Sequence, residues 1–250
     1  MSPARRQRES LRIRGHRPYP LPTGAWVGGQ SWEHLLFAHW SVEPSSMERI
    51  VPVGLELDLF DGRAWLAIVP FRLLGLRPRL LPPVPTAFTF LETNVRTYVR
   101  RGGRSGVYFF SLDATSRLAV QGARTLFHLP YRHARGRVTW DAYTRYRMTR
   151  TDRAYPAASL DASYHIRGPA REPVAGSLEH FLVERYCLFA DRRDGRIMRT
   201  DIHHRPWVIH DAEGELAHHG LIPPELAIDD PPLLHVAARQ DVIFWRPVLA

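Results

Sequence analysis

In "LETNVR", Glu92, Asn94 and Arg96 recur at every second position. On a β-strand that spacing lines three polar side chains along one face. A planar guanidinium there suits a bidentate carboxylate, with Glu92 able to handle a proton. The same residues also fit a solvent-facing edge strand or an internal Glu–Arg ion pair that supports the fold. A second polar group stands at "FHLPYRHA", where His128, Tyr131 and Arg132 surround Pro130. His128 and Tyr131 are general acid/base candidates, because imidazole titrates near neutrality and Arg132 adjoins them. A histidine capping the preceding helix explains His128 equally well. In "VYFFSLDA", Tyr108 and Phe110 share one strand face, where a phenol could donate to an oxyanion and a ring could wall a pocket.

Composition narrows the chemistry. All 34 basic residues are arginine, so no side chain can form an imine with a carbonyl substrate. Cys187 is the only cysteine and lies among apolar residues, which suits a core position and excludes an internal disulfide. The histidine pairs His203–His204 and His218–His219 alternate faces on strands, and no helical metal-binding spacing occurs, so neither a metal nor a cofactor is expected. Nucleophile-elbow, dinucleotide and phosphate-loop signatures are absent. Six arginines in residues 1–17 account for +5 of the net charge of +9 and read as a disordered basic leader before one domain over 18–250. That charge carries no nucleic-acid recognition motif. No apolar run is long enough to span a bilayer, so the cytoplasm is the expected compartment and no membrane partner is expected. Homo-oligomerisation is left open.

Period-two alternation dominates. "GLELDLFDGRAWLAIVPF" predicts a hairpin turning at Asp61-Gly62, with a return strand apolar on both faces. "TNVRTYVR", "RGGRSG" and "VYFFSLDA" predict another. "SRLAVQGARTLFHL" has the Leu118, Gly122/Ala123, Leu126 spacing of a helix lying on a sheet, and Ser177 caps a short helix in "GSLEHFLVERY". Proline clusters at 80–85 and 231–232 read as loop anchors. The fold class is mainly β (α+β), an antiparallel barrel or cone with one or two packed helices.

Six ordered stretches, "WEHLLFAHWSV", "LELDLFDGRAWLAIVPFR", "NVRTYVR", "GVYFFSLDA", "GSLEHFLVERY" and "IHHRPW", resemble the bacterial YqjF-like family. That family is in turn similar to a branch of the acetoacetate decarboxylase-like superfamily, which implies a β-barrel or cone around a central pocket. The likeness puts Glu92 on the decarboxylases' strand glutamate and Tyr131 and Arg132 where their lysines stand. Lysine-imine decarboxylation therefore does not transfer. What the resemblance implies is a barrel that binds a small carboxylate or carbonyl compound. In that barrel Glu92, His128 and Tyr131 are the catalytic candidates, and Asn94, Arg96, Tyr108, Phe110 and Arg132 are the ligand-binding ones. The same pocket also suits a non-catalytic ligand-binding or accessory protein.

Overall fold

The computed structural model describes residues 2–82, 89–192, 194–228 and 230–250. Of the proline cluster at 80–85, residues 83–85 lie outside the described residues. Chain order is α1 (Pro3–Glu9), a 3-10 turn (Ser10–Arg12), β1 (Gly28–Val42), α2 (Pro44–Glu48), β2 (Glu56–Leu57), β3 (Ala64–Pro78), β4 (Phe90–Arg101), β5 (Arg104–Ala114) and α3 (Arg117–Leu126). There follow β6 (Tyr131–Trp140), β7 (Thr144–Arg150), β8 (Ser159–Arg171), α4 (Leu178–Val183), β9 (Cys187–Asp191), β10 (Ile197–His203), β11 (Ile209–His219), β12 (Leu233–Phe244) and β13 (Val248–Leu249).

The sheet closes on itself twice. Pairing of β4 with β5 completes a ring through β6, β7, β8, β11, β12, β1 and β3. Pairing of β10 with β12 completes a smaller ring through β9, β5, β4, β3 and β1. Strands common to both rings have no solvent face, which is why "AWLAIVPF" in β3 is apolar at nearly every position. Alternate residues serve the two interiors: Leu66, Ile68 and Val95 pack with Tyr146, Met148 and Leu160 in one, while Ala67, Val69 and Phe71 pack with Phe37, Phe109 and Trp207 in the other. Closure also removes most of the open sheet edges that would invite aggregation.

The glycine turn between β4 and β5 forms as expected, with Gly102 and Gly103 at φ 57° and 72° between the paired Arg101 and Arg104. Asp61-Gly62 also turns, bridged by Phe60 and Arg63, but β2 pairs with β4 rather than with β3. Both edges of β3 are already taken by β1 and β4. Gly214 of β11 lies opposite Tyr164 of β8, and a Cβ there would stand 2.3 Å from Ser163 O. Gly214→Ala should therefore cost about 2 kcal/mol as the two strands are forced apart. A lowered urea midpoint with unchanged slope is the expected reading.

Residues 2–17 of the basic segment are not the disordered leader that composition suggested. Gln7 of α1 is fully buried, donating to Ser31 Oγ and Gly75 O (3.3 Å each) and accepting from Arg77 Nε (2.9 Å). Arg17 Nη1 donates to Ile202 O at 2.7 Å. A run of arginines reads as solvated, but here one glutamine and long guanidinium arms supply tertiary hydrogen bonds that composition cannot register. Among the described residues no helix is long and apolar enough to cross a membrane.

Candidate functional site

The larger ring is filled by side chains, whereas the smaller one encloses a cavity of ≈ 890 Å³. β4 supplies its polar spine, with Phe90, Glu92, Asn94 and Arg96 all facing inward. α3 roofs one end, tied to β4 where Thr115 N donates to Leu91 O at 3.0 Å. Ser116 caps the helix, its hydroxyl accepting from Ala119 N. The other end is closed beside α4, whose Leu182 carbonyl accepts from Arg96 Nη2 at 3.4 Å. Ser177 caps α4 as expected, accepting from His180 N at 3.2 Å.

Midway along the cavity, Tyr131 Oη donates to Glu92 Oε2 at 2.8 Å. Tyr146, reaching in from the filled ring, donates to the Glu92 carbonyl at 2.9 Å and so fixes the backbone beneath the carboxyl group. Burial pushes Glu92 up to about 7; hydrogen bonds from Tyr131 and Asn94 pull back, and the Asp113 charge adds to the rise. Burial and the adjoining Glu92 hold the Tyr131 phenol well above its ordinary value, so it stays a donor. The two form a protonatable pair that changes charge near neutrality.

At the closed end, the Arg96 guanidinium carbon lies 5.6 Å from the Phe37 ring centre and 5.8 Å from that of Tyr98. Among the described residues, no carboxylate forms an ion pair with it. Arg185, also lining this end, has its partner in Asp58 and donates to Phe181 O at 2.7 Å. His39, bonded to Tyr98 Oη at 2.9 Å, is held neutral by burial and then by the nearby Arg96 charge. His204 stands between the carbonyl oxygens of Arg185 and Arg205 at 3.0 and 2.7 Å; burial lowers its pKa, and the neutral ring donates to one of the two. The closed end thus carries one guanidinium charge with no opposing carboxylate.

The other expected residues are dispersed. His128, at φ 56° just past α3, sits exposed on the cavity rim. Tyr108 and Phe110 do not line the cavity: they pack against the filled core, and Tyr108 Oη donates to Asp191 at 3.0 Å. Val107 and Phe109 take the cavity positions instead. Phe110 is the extra residue of a β-bulge between the pairs Val95–Ser111 and Arg96–Phe109, and one inserted residue reverses which side chains face inward. Arg132, next to Tyr131 on β6, projects to the opposite side, where it stacks at 4.3 Å on Tyr155.

Sequence reading missed the walls contributed by Trp32, Phe37, Arg185 and Trp207, which converge from β1 and from segments over 140 residues later. It also missed the buried Asp113–Arg150 pair, bonded at 2.7 and 2.8 Å just behind Glu92. Cys187 lines the cavity, but burial pushes its thiol up to about 11 and Ser105 O accepts from it, so it is a poor nucleophile. Among the described residues no cluster of His, Cys, Asp or Glu comes together that could hold a metal ion.

Residues 29–241 match the DUF2071 model, that of an uncharacterised conserved protein. The chain belongs to the DUF2071 family. Its match to uncharacterised YqjF of Bacillus subtilis (strain 168) is 42% identity over 233 residues, 90% of this chain and 93% of that one. Among solved structures, this DUF2071 chain is similar to acetoacetate decarboxylase from Legionella pneumophila, with a TM-score of 0.64, 14% identity, and 94% and 93% of the two chains covered. It is also similar to the enduracididine biosynthesis enzyme MppR complexed with pyruvate, at a TM-score of 0.63 and 14% identity over 94% and 93% of the two chains. At such identities the likeness is one of fold. The acetoacetate decarboxylase-like β fold expected from the sequence is the one observed.

Proposed function

We propose that the DUF2071 cavity binds an organic carboxylate, anchored at its closed end by Arg96, with Glu92 and Tyr131 placed to move a proton on the ligand's body. The observation that carries this reading is the Arg96 guanidinium, enclosed by Phe37, Tyr98 and the Leu182 carbonyl without an opposing carboxylate. A cation so placed favours an anion, and its planar fork suits a carboxylate. Glu92, pushed up to about 7 by burial, exchanges a proton at neutral pH, while the absence of lysine and the inert Cys187 exclude an imine-forming amine and an activated thiol. Binding without turnover is the second reading, favoured by the lack of an amine or activated thiol nucleophile.

Thermal melting against pairs of organic acids and their methyl esters tests the anchor. An acid at about 100 times its Kd should stabilise the protein by ~2.7 kcal/mol and raise Tm by roughly 5–10 °C, whereas its ester should not. Arg96→Met, which breaks no ion pair, should fold normally and lose the acid-dependent shift. Equal shifts for acid and ester, or an undiminished shift in Arg96→Met, would overturn the proposal. Glu92→Gln should keep the shift; if an assay finds turnover, that variant should lose it.

A further inference from the structure

Glu92 and Arg96 stand well apart in the cavity, with Asn94 between them. Glu92 and Arg96 are four residues apart on one strand, which at ~3.3 Å per residue separates their Cα atoms by about 13 Å. Phe90, at the roofed end, is about 20 Å from Arg96 by the same measure. A four-carbon acid seated on Arg96 would leave Glu92 beyond its reach. The roof carries a second observation. Leu118, Gly122 and Leu126 were expected to lie on the sheet, yet all three face the cavity, and the two leucines are 68% and 67% exposed. Ala119 and Val120 are the α3 residues that pack. A leucine stripe exposed at the entrance to a hollow ring is apolar surface without a protein partner. Phe71, Leu73, Phe109 and Leu112 give the wall a broad apolar face, with Asn94, Gln30 and Thr200 as polar groups in the same lining.

We infer that the ligand is an elongated monocarboxylate with an apolar body, its carboxylate on Arg96 and its chain running past Glu92 to the α3 leucines. The inference rests on the carboxylate reading above and narrows it. With carbon–carbon bonds of ~1.5 Å giving roughly 1.25 Å of advance per methylene, about ten carbons cover the distance from Arg96 to Glu92. Each methylene transferred from water to this wall should tighten binding about fourfold. The ≈ 890 Å³ volume accommodates such a chain with room to spare.

Isothermal titration of the full chain with butanoate, octanoate, dodecanoate and hexadecanoate, each below its aggregation threshold, measures the trend. Two variants locate it. Arg96→Met should weaken every acid. Gly122→Leu exploits a helical position where a Cβ meets nothing within 4 Å, so it should fold well while pushing a side chain into the roofed end. It should weaken hexadecanoate, whose sixteen carbons span the ~20 Å from Arg96 to the roof, about tenfold and leave butanoate within about twofold. A Kd falling about fourfold per methylene in the wild type, with these responses, is the expected result. If butanoate binds as tightly as hexadecanoate and still depends on Arg96, the elongated ligand is wrong while the carboxylate anchor stands. If no acid of any length binds, both fail. A length trend that neither variant alters puts the chain outside this cavity and overturns the inference.

Discussion

Asp113→Leu is expected to destabilise the protein by about 3–5 kcal/mol, while Asp113→Leu combined with Arg150→Met should recover most of the loss. Asp113 and Arg150 form a bidentate pair with side chains 1% and 3% exposed, and Arg150 also donates to Pro156 O at 2.8 Å. Removing one partner leaves a buried charge without water or counter-charge. Removing both leaves two side chains of similar bulk beside the buried Ala134 of β6, which pairs with Arg150, and the buried Tyr146 of β7. Urea denaturation of the two single variants and the double variant gives the coupling directly. Single and double variants equally destabilised would mean that packing around the pair, and not its charge, is what the fold needs. The pair also matters to the site, because it fixes β5 beside Glu92 and its carboxylate is one of the charges raising that residue.

The second large effect is on the pH dependence of stability. Burial raises Glu92 from 4.5 to about 7, so between those values the folded protein holds a proton that the unfolded chain has released. The unfolded state binds fewer protons in that window, so stability is fully present below about 4.5, falls as pH rises, and levels off above about 7. At 1.36 kcal/mol per pH unit the loss is about 3 kcal/mol. Glu92→Gln keeps an acceptor for Tyr131 and has nothing to titrate, so it should gain about 3 kcal/mol on wild type between pH 4.5 and 7.5. Urea midpoints at three pH values across this range measure it. Parallel curves would show that Glu92 ionises as an exposed carboxyl does, and would remove it as a proton carrier at neutral pH.

Much of this arrangement was legible in the chain. Alternation in "LETNVR" placed Glu92, Asn94 and Arg96 on one face, and all three line the cavity. Tyr131 was read from its place after the α3 exit, and its bond to Glu92 joins two stretches 39 residues apart. The failures have physical causes. β5 belongs to both rings and is apolar on both faces, so periodicity could not say whether Tyr108 or Val107 faced the cavity, and the bulge at Phe110 reversed the phase part-way along. The Leu118–Gly122–Leu126 stripe was read correctly as an apolar face, but a hollow ring and a packed sheet demand the same residues of the helix above them. Gln7 looked like part of a solvated arginine run because its partners, Ser31, Gly75 and Arg77, are remote in sequence. Trp207 and Arg185 carry no local signature, since their role comes only from closure of β10 onto β12.

A crystal structure of the full chain with an ω-bromo carboxylic acid, the bromine located by its anomalous signal, shows directly whether Arg96 holds the carboxylate. A carboxylate oxygen is expected about 2.8 Å from the Arg96 guanidinium, with the bromine beyond Glu92 towards α3. A carboxylate bound away from Arg96, whether beside Tyr131 with the chain reversed or on the outer surface, would contradict this placement.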